Sequence, residues 1–220
     1  MNNTYYEESG SGAASNKVSV NRAQFLGKWI WMLFLLSIFS ILLGILDNEY
    51  IKKAVPGIYM IGQILPSIFN AACGVILFKL SSEEKKYRIA GICTLISLTG
   101  SILAETLFRS LSPESLIIWM PLLIVGLVES YYENHAHSIV LRNIDDELSE
   151  KWIVLWKWEL GCILVYFGSA IVMMFIPIVG ALVASVTGIG IIILGVLRLI
   201  YLYRTAKKFR EYQPGGLGEL

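Results

Sequence analysis

Six side chains capable of acid–base or hydrogen-bond chemistry sit where the surrounding sequence is otherwise apolar: Gln63, Asn70, Glu105, Lys157, Glu159 and Arg198. An ionisable group at the centre of a membrane helix costs on the order of 2.5–3.5 kcal/mol or more, so each needs a reason to be there. Lys157 and Glu159 lie five and seven residues beyond Trp152, and Arg198 lies six residues before Arg204. On sequential antiparallel helices Glu159 and Arg198 would share a depth, and pairing would offset part of their desolvation. Such a pair suits a gate or a proton-coupled solute site. The off-centre depth favours a simpler role, a clamp near the interface with Lys157 and Arg198 reaching toward the headgroups.

Glu105 precedes Arg109 by four residues, which predicts an intrahelical pair. Gln63 and Asn70 are seven apart and share a helix face. They fit interhelical hydrogen bonds better than a pore stripe. Glu129, Glu133 and His137 recur at four-residue steps on one face, with His135 pointing elsewhere. Carboxylates and imidazole could together hold a transition metal. The chain has only two histidines, and a metal site needs at least three ligands in fixed geometry. A solvated or headgroup-facing surface is therefore the expectation for this stripe, and no metal or other cofactor is expected. No nucleophile–base arrangement, catalytic carboxylate pair, dinucleotide fingerprint or nucleotide-binding loop is present. The expectation is that the chain is not an enzyme.

The segments that must hold these residues are unusual. Leu160–Leu197 is 38 residues without Asp, Glu, Lys or Arg, and comparable runs cover residues 54–78 and 29–46. A bilayer-spanning helix needs about 20 apolar residues, because the hydrocarbon core is roughly 30 Å thick. Only 16% of the residues are charged, too few for an ordinary soluble surface, where roughly 25% is usual. The net charge of +1 excludes a strongly basic nucleic-acid binder. The sequence predicts an all-α polytopic membrane protein of six helices arranged as three hairpins, at about 28–46, 54–80, 88–108, 115–132, 152–175 and 178–203. One helix over the 38-residue run would reach about 57 Å, so the chain must turn, and Pro177 with Gly180 supplies the break.

Residues 1–24 read as a disordered polar tail, 25–209 as the helical domain and 210–220 as a flexible tail. No apolar stretch precedes a cleavage site in the first 24 residues, so the first span reads as an uncleaved anchor. The polar segment 131–151 reads as a continuation of the fourth helix that breaks near Asn143 and re-enters at Trp152, too short to bury a core of its own. Lysine and arginine placement gives the direction. Thirteen fall on the side of both termini: Lys17, Arg22, Lys28, Lys79, Lys85, Lys86, Arg88, Arg142, Lys151, Arg204, Lys207, Lys208 and Arg210. Three fall opposite: Lys52, Lys53 and Arg109. Both termini are expected in the cytoplasm, and the Lys-biased loops suit a bacterial inner (plasma) membrane. Cys73, Cys93 and Cys162 lie in apolar stretches and are expected as free thiols. Gly180, Ala184 and Gly188, and Gly100 with Ala104, mark faces where helix backbones can approach closely. Recurring Pro and Lys positions suggest three copies of one hairpin, but any hairpin obeying the charge rule would look similar.

These features lead to an accessory or scaffolding membrane subunit, acting on other subunits or on itself through helix contacts. A small-solute or ion transporter with Glu159, Arg198, Gln63 and Asn70 in its path is the alternative. A metal-dependent membrane enzyme using Glu133 and His137 comes third.

Overall fold

The computed structural model describes residues 19–44, 56–107, 116–142 and 144–212. Among these the chain forms six α-helices: α1 (Val20–Gly44), α2 (Pro56–Leu80), α3 (Lys86–Leu107), α4 (Leu116–Leu141), α5 (Asp146–Phe175) and α6 (Pro177–Arg210). Four of them, α1, α3, α5 and α6, are long and apolar enough to cross a bilayer. Local chemistry sets several ends. Asp145 caps α5 by accepting from the Leu148 N–H at 2.9 Å. Pro177 stands at the first turn of α6, where its missing N–H costs nothing. Pro66 and Pro121 lie inside α2 and α4, a placement that neighbouring helices make tolerable in membrane segments.

Each helix packs against the next in sequence, and α6 packs against α1, so the six close into a ring. The end of the ring that carries Val20 and Arg210 is tied by polar contacts. Arg22 pairs with Glu83 at 2.6 Å and Lys208 with Asp145 at 3.0 Å. The Trp152 indole N–H donates to Thr205 Oγ1 at 3.1 Å. Gly27 of α1 lies so close to Phe209 and Arg210 of α6 that a Cβ there would meet the Arg210 amide at 3.1 Å. At this end sits the core, with Leu26, Leu80, Tyr87, Leu148, Trp152 and Phe209 among its buried members.

The helices extend further than hydropathy predicts. The structure begins α1 at Val20 rather than Lys28, begins α5 at Asp146 rather than Trp152 and carries α6 to Arg210, while α4 continues to Leu141, as expected of a break near Asn143. Hydropathy marks the part of a helix that lipid surrounds, and these additions lie beyond it. Residues 20–24, assigned to the polar tail on composition, are helical. The polar segment 131–151 builds no domain of its own, but its Leu141, Leu148 and neighbours enter a core shared with α1 and α6. The rest of the expected tails, 1–18 and 213–220, lies outside the described residues.

Candidate functional site

The face of α4 that carries Glu129, Glu133 and His137 turns into the ring. This overturns the expectation of a solvated or headgroup-facing surface: Glu133 is 5% exposed and His137 is fully buried. Four-residue spacing puts the three side chains on one stripe, and closure of the ring gives that stripe an interior to face.

Glu133 forms an ion pair and hydrogen bond with Arg198 of α6. The same carboxylate lies 3.6 Å from His137 Nε2, and His137 Nδ1 is 2.8 Å from the Tyr87 hydroxyl of α3. A neutral ring that accepts from Tyr87 at Nδ1 carries its proton on Nε2, on the Glu133 side. The imidazole stacks on Trp152 with centroids 4.5 Å apart. Arg198, Glu133, His137 and Tyr87 thus form one chain of contacts across α6, α4 and α3, with the Trp152 ring of α5 beneath the imidazole.

Beside the ion pair is a cavity of about 300 Å³, at the lower end of the range for small-molecule pockets. Five of the six helices line it. Its polar groups are Ser37 and Ser40 from α1, Asn70 from α2, Thr94 from α3, Glu129 and Glu133 from α4, and Arg198 from α6. Glu129 accepts from Thr94 Oγ1 at 2.9 Å. Cys73 of α2 also lines the cavity. Leu33, Ile41 and Leu199 give it apolar walls.

The predicted partnership of Arg198 with Glu159 is not the one formed. Arg198 goes to Glu133, and Glu159 accepts from Ser130 and from Asn134 Nδ2, the latter at 3.2 Å. Register along sequential helices cannot tell which side of a ring a carboxylate faces. Lys157 is exposed and lines a cleft with Arg142, Asp146 and Glu150. Asn70 reaches the cavity. The side chain of Gln63, its predicted companion, lies outside the described residues, as do Glu105's side chain and Arg109. His135 does point away, with Nδ1 2.9 Å from the Tyr131 carbonyl. Among the described residues no three His, Cys, Asp or Glu side chains are grouped to hold a metal ion. The three cysteines are free.

Sequence reasoning passed over Tyr87, Trp152, Thr94, Ser37 and Ser40. No spacing rule singles out one tyrosine or serine. The available signal was that a buried His stripe must find partners on whichever helix faces it. Comparison with known protein families, curated proteins and solved structures finds no match.

Proposed function

We propose that this chain is a six-span membrane protein that carries a small solute or ion through the cavity at its axis. Both termini would face the cytoplasm, and a bacterial inner membrane would be its setting. The observation that carries the reading is the cavity itself, polar and charged, held among apolar helices and lined from five of them. At about 1.5 Å per residue, Arg198 lies about 32 Å along α6 from Pro177, and Glu129 about 20 Å along α4 from Leu116. With the Pro177 turn at the outer surface, the Glu133–Arg198 pair falls at the inner edge of the hydrocarbon, and Glu129 falls nearer its middle. A scaffold gains nothing from desolvating these groups, each of which costs free energy at such depth. A carrier needs them.

Cys73 offers a direct test. The full chain carrying Cys93→Ala and Cys162→Ala is reconstituted in liposomes and exposed to a membrane-impermeant maleimide from each side in turn. A carrier that opens alternately exposes Cys73 to both faces. A Cys73 that reacts from neither face disproves the reading. In the same liposomes a cysteine-reactive probe at Lys52→Cys should react from the side opposite to one placed on the tail beyond Arg210. Reaction from the same side would overturn the six-span topology.

A second reading, an accessory or self-associating subunit, draws on a different observation. Gly161 and Gly168 of α5 and Gly188 of α6 have open space where a Cβ would project. Small residues are what let helix backbones approach closely in a bilayer. Both readings hold together if the carrier is itself an oligomer.

A further inference from the structure

The charges lining the cavity do not balance. Glu129 and Glu133 bring two carboxylates, and Arg198 is the one cation among the residues lining it. Arg198 is committed to Glu133. Glu129 receives a neutral hydroxyl from Thr94, and a hydroxyl donates a hydrogen bond but no charge. The other groups that line the cavity with it supply none either, Ser37 and Ser40 on α1 and Asn70 and Cys73 on α2, and neither do Ser97 and Cys93 beside it on α3. From α5, Glu159 is another carboxylate, held by Ser130 and Asn134. On Glu129's own helix, Glu133 is taken by Arg198, His137 Nδ1 meets the Tyr87 hydroxyl with its Nε2 3.6 Å from Glu133, His135 Nδ1 is bonded to the Tyr131 carbonyl, and Tyr131 and Tyr132 are phenols that bring no positive charge. A carboxylate in a low-dielectric interior is either paired with a cation or neutralised by a proton.

Building on the carrier reading, we infer that the solute is a small cation with an apolar body, and that it binds at Glu129 in exchange for a proton. In the empty cavity Glu129 holds the proton as a neutral carboxylic acid. When the cation enters, the O–H bond breaks, the proton leaves to water and the carboxylate formed pairs with the cation. The charge of the cavity is the same in both states, so neither crossing carries an unpaired charge through the bilayer. The Glu133–Arg198 pair stays intact and supplies a fixed dipole beside the site. Leu33, Ile41 and Leu199 give the apolar part of the solute a wall to pack on. A doubly charged metal ion suits the site poorly, since one carboxylate, hydroxyls and one amide offer little charge for it.

An isosteric series tests this with the full chain in detergent. The probes are choline, its uncharged counterpart 3,3-dimethylbutan-1-ol and the anionic 3,3-dimethylbutyrate, which share a tert-butyl-like head and differ in charge. Calorimetric titration in two buffers of different protonation enthalpy reads affinity and proton release together. Choline should bind at least tenfold more tightly than the alcohol, release close to one proton per molecule bound, and weaken about tenfold for each pH unit of acidification. Glu129→Gln should lose the preference and the proton release together, while still binding the alcohol as the wild type does. Equal binding of all three probes, a preference for the anion, or choline binding without proton release would overturn the inference. Labelling of Cys73 keeps the two claims apart. A Cys73 that is reached from both sides, in a protein that does not prefer choline, removes the cation and leaves the carrier.

Discussion

The two ends of the ring are built on different physics. Among the described residues, every fully apolar buried side chain except Ala104 lies in the half of its helix nearest the end that carries Val20 and Arg210, or at that helix's midpoint. At the other end Met174, Phe175 and Ile178 are each more than 80% exposed. Water drives apolar side chains together, whereas lipid tails are as apolar as leucine and give helices no such push. On the proposed membrane placement, the first end is packed like a soluble core because water surrounds it, and the second is exposed because lipid does the burying. The cavity lies between the two, and Glu129 and Glu133 line it.

The largest test of that contrast compares two aromatic truncations. Trp152 is completely buried, stacked on His137 and bonded to Thr205. Trp152→Ala should cost about 3–5 kcal/mol. Phe175→Ala, at a residue 81% exposed, should shift thermal unfolding in detergent only slightly. Equal losses at the two sites would mean that the second end has a protein core after all.

Next in size is the ion pair. Glu133→Gln leaves Arg198 without its counter-charge. Breaking a buried pair costs about 3–5 kcal/mol, and the lower figure applies because the arginine side chain is 31% exposed. The double variant Glu133→Gln, Arg198→Met removes both charges and should recover most of the lost melting temperature. If it recovers none, the pair is not what holds α4 to α6.

A third comparison stays within the lipid-facing end. Gly180 follows the Pro177 turn so closely that a Cβ would come within 2.5 Å of the Met173 backbone. Backbone cannot move aside as a side chain tip can, so Gly180→Ala should cost about 1–3 kcal/mol. Gly188, eight residues on, has open space at the same position, and Gly188→Ala should be nearly neutral in the monomer. A cost at Gly188 that appears only at high protein concentration would instead place that face in a self-association contact.

What could be read from the sequence follows the same divide. Six helices, their order and the break at Pro177 were legible because lipid demands long apolar runs and charge marks their ends. Gly100 and Ala104 were legible as a contact face, and Gly100 does lie against Leu122 of α4. The continuation of α4 to a break near Asn143 was legible, but the helix ends at Asp146 and Arg210 were not, since outside lipid hydropathy no longer tracks helicity. The shared face of Glu129, Glu133 and His137 could be read from four-residue spacing. That the face is buried could not, because burial depends on ring closure between α1 and α6, the two helices furthest apart in the chain. The partner of Arg198 was missed for the same reason. Register orders groups by depth, whereas choice among groups of equal depth is a matter of three-dimensional packing.

The smallest effect lies at the water-facing end and depends on pH. Asp145 caps α5 and pairs with Lys208. Its partial burial pushes its carboxyl up, but the Leu148 N–H and the Lys208 ammonium outweigh this and hold it below the usual carboxylate range. A carboxyl depressed in the folded chain stabilises it fully above the ordinary carboxylate range and loses that contribution as pH falls through that range and below it. Asp145→Ala should therefore cost about 0.5–2 kcal/mol at neutral pH, and wild type and variant should converge in melting temperature in acid. If the gap between the two proteins stayed constant down to strongly acid pH, the loss would come from the missing side chain's packing and not from its charge, and the water-facing end would owe its order to the apolar core alone.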